Sequence, residues 1–342
     1  RLLLKLSLAN INRAILRWIE AFLTNRSQFV TVNNRASSPL PVTSGVLQGS
    51  VLGPLLFLLY VNDLPLHVSC KVSLFADDCI TYRTITNTSN QDLLQEDINR
   101  LHQWCDRWLT ELNPKKCKLM VFYRRHDPFP YTYTVRNIPM CSAQSYKYLG
   151  VTISNDLSWS THITNIISSA DESLGFLKRY LKCTPKPVKL LAYQSIVRPK
   201  LEYASAIWYP HQKYLFNALE AVQNRAARFI HSNYSYDTSI SYLTKELNLL
   251  PLSTRWRTAA LSLFDKFYHT SLHQPPYILP AGRASHRTWH TFQVGRPRMR
   301  TVTFSATFFC HAATDWNNLL HQIAAITCPC SFAESSTAHF SQ

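Results

Sequence analysis

Apolar residues recur at three- and four-residue steps from the start of the chain: Leu3, Leu4, Leu6, Leu8 and Ile11, then Ile15, Trp18, Ile19, Phe22 and Leu23. That spacing predicts helix over residues 1–30. A short strand is expected at Gln28 to Val32, turned by Asn33 and Asn34. A loop rich in Ser, Pro and Gly then leads to a helix near Pro54, where proline suits the first turn. The clearest helix lies between Ser89 and Leu112. There Leu94, Ile98, Leu101, Cys105, Trp108 and Leu112 form one apolar stripe, Ser89 with Asp92 resembles a capping box, and Pro114 stops the run. Lys118 to Phe122 reads as a strand, and Tyr131 to Val135 with Tyr146 to Ile153 as a strand pair. After Ser160 the pattern turns helical: Ile163 to Leu181, Pro187 to Val197, Leu215 to His231, Ser253 to His269 and a last helix over Ser305 to Ile323. Gln274 to Pro297, rich in Pro, Gly, Arg and His, reads as an exposed loop. The fold class is α+β, with regions 1–157 (strands and helices), 158–272 (helices) and 273–342 (a basic loop and terminal helix).

Charge changes the picture more than composition does. Lys and Arg outnumber Asp and Glu by 36 to 20, a formal charge of +16. Such an excess favours a polyanionic partner, because each phosphate neutralised releases a counterion. A merely basic soluble protein has the same balance. The nine cysteines show neither an even count nor CxxC pairs, which argues against a disulfide framework or zinc knuckle and fits reduced thiols. The longest apolar run, around Leu55 to Val61, falls short of the roughly 20 residues that span a bilayer, so no membrane partner is expected.

The sharpest candidate chemistry is Phe75-Ala76-Asp77-Asp78, preceded by Val72 and Leu74 and followed by Ile80 and Tyr82. This reads as strand, tight turn, strand, with two carboxylates at the tip. Side chains alternate along a strand, so adjacent aspartates share a site only where a turn breaks the alternation. Adjacent aspartates are also ordinary turn residues; their company decides. Upstream, Gln48-Gly49-Ser50-Val51-Leu52-Gly53-Pro54 joins a loop to an apolar helix, and its glycines either let backbone approach a ligand closely or simply start a buried helix. Downstream, Asn113-Pro114-Lys115-Lys116 carries a lysine that either serves a departing anion or is solvated at a helix end. Tyr148-Leu149-Gly150-Val151 follows as a hairpin.

In this order and spacing the segments resemble the palm motifs B, C, D and E of reverse transcriptases: Gly45 to Pro54, then Phe75 to Asp78, then Asn113 with Lys116, then Tyr148 to Gly150. Ser195 to Ala204, Gln223 to Arg228, Phe308-Phe309 and Trp316-Asn317 are similar to later parts of LINE-type (non-LTR) retrotransposon polymerases, of the jockey and CR1 kind. The resemblance implies an incomplete palm over 1–157, an all-helical thumb over 158–272 and a C-terminal extension over 273–342. It implies RNA-directed DNA polymerisation with Mg²⁺, an RNA template, a DNA primer and dNTPs, within an element ribonucleoprotein. Carried over by position, Asp77 and Asp78 are the metal-site carboxylates and Lys116 the motif D lysine. Gln48, Gly49, Ser50 and Gly53 border template and nucleotide, and Tyr148, Leu149 and Gly150 form the primer grip.

The chain opens on Arg1 inside a helical pattern, and the family's motif A, with a further metal-binding aspartate, is expected upstream of it. Dependence on both carboxylate sources makes dNTP incorporation by this chain alone unexpected; the alternative is a non-catalytic nucleic-acid-binding remnant. In the helical half, Arg225 and Arg228 are expected on the duplex backbone or on a solvated face. Arg283, Arg287, Arg296, Arg298 and Arg300, interleaved with His286, Trp289, His290 and Phe292, either suit single-stranded RNA through charge and stacking or are the incidental composition of a flexible linker.

Overall fold

The computed structural model of the chain describes residues 1–123, 130–270, 278–280, 292–296 and 298–340. It divides into two compact units, Arg1–Ala143 and Gln144–Gln342.

In the first unit the expected opening helix is two helices, α1 (Leu2–Leu8) and α2 (Arg13–Leu23). The break is local chemistry: Asn10 adopts a left-handed conformation, and the Asn12 side chain accepts from the Ala14 amide to start the second helix. Two small ribbons follow, β1 (Ser27–Gln28) with β4 (Leu40–Pro41) and β2 (Thr31–Val32) with β3 (Arg35–Ala36). The inner ribbon reverses at Asn33 and Asn34, both left-handed, the asparagine-rich turn that suits strand twist. Helix α3 (Leu52–Val61) precedes the antiparallel hairpin β5 (Lys71–Phe75) and β6 (Asp78–Tyr82), and α4 (Thr88–Trp108) packs beside it.

The cap of α4 is Asn87, which accepts from the Asn90 amide, and not the Ser89–Asp92 box. The helix ends four residues before Leu112 because Leu109 turns left-handed. Val61, Leu64, Leu101, Trp104, Cys105 and Trp108 form the core here, with Val72 and Leu74 of the hairpin packed against it. Lys5 is drawn into the same place: its ammonium lies 4.9, 4.5 and 3.9 Å from the ring centres of Tyr60, Trp104 and Trp108 and 2.5 Å from an Asp63 oxygen. Past α4, β7 (Lys118–Leu119) pairs in parallel with β10 (Cys141–Ser142), and β8 (Thr134–Val135) pairs with β9 (Ile138–Pro139).

The strand pair expected between Tyr131–Val135 and Tyr146–Ile153 does not form. Each strand closes its own hairpin, the later one being β11 (Ser145–Tyr148) with β12 (Val151–Ser154), in the second unit. A two-residue reversal within each segment makes the local partner cheaper in loop entropy than the distant one.

The second unit is helical. Its elements are α5 (Ser160–Tyr180), α6 (Lys186–Ala192), α7 (Arg198–Glu202), α8 (Ser205–Trp208), α9 (Lys213–His231), α10 (Ile240–Glu246) and α11 (Leu252–His269). Helices α6 and α7 are joined by a π-helical turn, Tyr193–Val197. Pro199 explains it, since proline lacks an amide hydrogen and its ring crowds the carbonyl four residues back. Leu174, Tyr193, Val197, Leu201, Trp208, Val222 and Trp256 fill one core. Helix α11 runs from that core into a second, where Leu261 and Phe264 meet Trp316 and Phe332. The single late helix expected over Ser305 to Ile323 is three short ones, α12 (Val302–Ser305), α13 (Phe308–Asn317) and α14 (His321–Ala324), followed by α15 (Pro329–Phe340). Between α11 and α12, β13 (Leu279–Pro280) pairs with β14 (Val294–Gly295). No helix among the described residues is long and apolar enough to cross a membrane.

Candidate active site

Strand β5 alternates between half-buried Val72 and Leu74 and exposed Lys71, Ser73 and Phe75, and β6 returns in register from Phe75↔Asp78 to Lys71↔Tyr82. Only Ala76 and Asp77 make the reversal. Ala76 takes φ 49°, left-handed without being glycine, which costs about 1 kcal/mol. Strain of that kind at the tip of a hairpin persists only where the surroundings hold it. Asp77 therefore sits on the turn and Asp78 opens the return strand. Both are exposed and, among the described residues, neither enters an ion pair.

What holds the hairpin is a residue that motif reasoning passed over. The Asp97 carboxylate on α4 is fully buried and accepts from the Ser69 amide at 2.8 Å, the Cys70 amide at 2.8 Å and Arg83 at 2.7 Å. The Ser69 hydroxyl adds bonds of 3.2 and 2.9 Å to its two oxygens. Residues 69 and 70 lead into β5 and Arg83 follows β6, so one carboxylate clamps both legs at the base. Burial alone would raise its pKa. The hydrogen bonds from the Ser69 amide, Arg83, the Ser69 hydroxyl and the Cys70 amide outweigh that and hold it at about 2. A signal was present in the sequence: an acid three residues after Leu94 and four before Leu101 lies on the apolar face of its helix.

The glycine loop ahead of α3 has two different glycines. At Gly53 an added Cβ would stand 2.7 Å from the Leu47 carbonyl, so this glycine is required for packing. Ser50 tightens the same bend, donating to the Leu47 carbonyl at 2.7 Å and accepting from the Gly53 amide at 3.0 Å. Gly49 is left-handed (φ 82°) with open space where a side chain would be, and Gln48 beside it is exposed. That is the part of the loop free to receive a ligand. Lys116 is exposed on a turn that Asn113 organises, through its side chain to the Lys115 amide and its carbonyl to the Lys116 amide. Among the described residues no group of three or more His, Cys, Asp or Glu side chains gathers as a metal site. Mg²⁺ keeps waters and takes one or two protein carboxylates plus substrate phosphates, so the exposed Asp77–Asp78 pair fits the protein's share of such an ion.

In the second unit, Leu149 (φ 45°) and Gly150 (φ 83°) reverse the β11–β12 hairpin, both left-handed, with Tyr148 opposite Val151. Buried His162 of α5 accepts from the Thr152 amide at 3.1 Å and ties that hairpin to the helices. Its desolvation pushes the imidazole pKa down to about 4, with Lys147 contributing, so it is neutral at physiological pH. Arg225 grips Asp171 with both oxygens within 2.8 Å, and Arg228 donates to the Ser235 carbonyl at 2.6 Å. Both arginines thus already have protein partners. Of the basic and aromatic patch, Arg296, Arg298, Arg300 and Phe292 are described; Arg283, His286, Arg287, Trp289 and His290 lie outside the described residues.

Residues 4–153 match the family profile of reverse transcriptases (RNA-dependent DNA polymerases). That span holds the carboxylate hairpin, the glycine loop, Lys116 and the Leu149–Gly150 turn. That span is similar to reverse transcriptases. The chain is also similar to polymerases of Drosophila mobile elements. The chain is 30% identical over 223 residues to a probable RNA-directed DNA polymerase from transposon X-element of Drosophila melanogaster, covering 62% of this chain and 24% of that protein. It is 28% identical over 224 residues to the RNA-directed DNA polymerase from mobile element jockey of the same fly, with the same coverage. The corresponding enzyme of transposon BS is 29% identical over 245 residues, 68% of this chain and 27% of that one. The chain thus spans about a quarter of the length of the curated relatives it matches. By these measures the chain is similar to the RNA-directed DNA polymerases of jockey-like mobile elements.

Proposed function

We propose that the chain carries the carboxylate hairpin of an RNA-directed DNA polymerase, which extends a DNA primer with dNTPs on an RNA template. The observation that supports this reading is a pair of adjacent, exposed carboxylates on a strained two-residue reversal, inside a segment that matches reverse transcriptases. Mg²⁺, when bound there, supplies charge neutralisation on the transferring phosphate and lowers the pKa of the primer hydroxyl. The protein's own part is placement. Asp77 offers metal-ligating oxygens from the turn, and Asp78 supports the site from the first position of the return strand. Gln48 and Gly49 border template and nucleotide, with Ser50 and Gly53 fixing the loop that presents them. Lys116 stabilises or protonates the departing pyrophosphate. Tyr148, Leu149 and Gly150 contact the primer strand, and Arg225 and Arg228 the duplex backbone. In domain terms, 1–157 act as palm, 158–272 as thumb and 273–342 as an extension.

Mn²⁺ as a paramagnetic probe, with an RNA-template/DNA-primer duplex and dNTP present, tests the reading. Broadening should localise to residues 75–79 and vanish in Asp77→Asn, while duplex binding survives or strengthens because a repelling charge is gone. Duplex binding with no metal localised at the hairpin would instead support a non-catalytic nucleic-acid-binding protein.

A further inference from the structure

The Leu149–Gly150 turn is too costly to stand unaided. Leucine in the left-handed region is unfavourable, and the turn belongs to a hairpin of only two strands. One side chain from the helical part of the same unit touches both of its central residues. The Tyr203 hydroxyl donates to the Leu149 carbonyl at 2.9 Å. Its ring lies so close to Gly150 that a Cβ there would stand 2.9 Å from Cε1 and 3.5 Å from Cζ. Glycine at 150 is therefore demanded twice, by φ and by this ring.

Tyr203 is itself fixed from behind. It ends α7, and Ala204 after it is left-handed. The Tyr203 carbonyl accepts from the indole of fully buried Trp208 at 2.7 Å, and the carbonyl of neighbouring Leu201 accepts from that of fully buried Trp256 at 2.8 Å. The carbonyl of Tyr203 is thus tied to the helical core, yet the residue is 58% exposed. A large aromatic left in solvent with its hydroxyl spent on a distant turn is not core packing.

We propose that Tyr203 is a positioning residue: it fixes the Leu149–Gly150 turn in the shape that meets the primer strand and makes that turn move with the helices. This rests on the reading of Tyr148 to Gly150 as the primer-contacting turn. The turn would then report the position of α7 to the primer terminus, with the phenol as the link.

The test uses the full chain with Tyr203→Phe, which removes only the hydroxyl, Tyr203→Ala, which removes the ring, and Gly150→Ala. Amide exchange at residues 149–151 reads the turn. Binding of a recessed-terminus RNA/DNA template–primer relative to single-stranded RNA reads primer recognition, which a merely structural contact would not move. Loss of one hydrogen bond is expected to speed exchange about fivefold in Tyr203→Phe and lower the primer-to-single-strand preference by a similar factor. Gly150→Ala should lower the preference too, and adding Tyr203→Ala should recover part of that loss because the ring clash is gone. Unchanged exchange in both Tyr203 variants overturns the proposal. Faster exchange with the preference lost in Gly150→Ala but kept in both Tyr203 variants also overturns it, leaving the primer reading standing. Faster exchange with the preference unchanged in all three variants instead sinks the primer reading.

Discussion

Replacing Asp97 should loosen the carboxylate hairpin without touching either aspartate at its tip. The ionised carboxylate receives the Ser69 and Cys70 amides and Arg83, and its pKa falls from the ordinary 3.8 to about 2. At ~1.4 kcal/mol per pH unit, that difference makes the charged form worth roughly 2 kcal/mol more than the neutral one. Asp97→Asn mimics the neutral form and should cost about that much. Asp97→Ala also strands the nearly buried Arg83 guanidinium and two amides, and should cost about 3–5 kcal/mol. The sign with pH follows from a depressed acid. Its contribution is complete above the unfolded pKa near 4 and disappears as pH falls towards 2. Amide exchange of the full chain, read on the peptide covering residues 69–83, isolates this region from the other unit. Exchange there should accelerate about thirtyfold in Asp97→Asn at neutral pH, the equivalent of ~2 kcal/mol, with the difference from wild type shrinking below pH 4. Equal exchange in wild type and Asp97→Asn at neutral pH would refute the clamp.

Three further outcomes are expected. His162, neutral with its pKa near 4 against an ordinary 6.5, favours the unfolded state as acid protonates it there first. The second unit should lose about 3 kcal/mol between pH 6.5 and 4, and His162→Gln should flatten that dependence in chemical denaturation. Lys5→Ala removes a desolvated ammonium from its ring of aromatics, and exchange in α1 should report a loss of about 2 kcal/mol, with Lys5→Arg restoring part of it. Asp77→Asn and Asp78→Asn, both on the exposed tip, should shift the denaturation midpoint by no more than about 0.5 kcal/mol; a larger change would mean they carry the fold and not only chemistry.

The legible parts of the sequence were those fixed by neighbours a few residues away. The α4 stripe from Leu94 to Trp108, the Asn33–Asn34 reversal and the Phe75–Asp78 hairpin each follow from local periodicity or turn chemistry. What escaped depended on partners far along the chain or on a single backbone angle. Asn10 and Leu109 end helices by turning left-handed, which no apolar period announces. The pairing of Tyr131–Val135 and Tyr146–Ile153 was misassigned because strand pattern marks a face but not a partner. The sequence marked Asp97 only as an acid on an apolar face and Tyr203 only as part of the Ser195 to Ala204 stretch; their roles lie in Arg83 and Leu149, 14 and 54 residues away. The candidate site was readable as a set of positions; what holds those positions was not.

Because Asp77 and Asp78 are joined by one peptide bond, their Cα atoms stand a fixed ~3.8 Å apart, and the Ala76–Asp77 reversal sets how the two carboxylates face. What remains adjustable is aim. The five-residue strand β5 makes an arm of about 16 Å from the Asp97 clamp to the tip. A pivot of only ~4° at that base swings the carboxylates by ~1 Å, an error that can slow chemistry on the order of a hundredfold. The arm magnifies whatever happens at its hinge, so small packing changes along α4 act on the tip as steering.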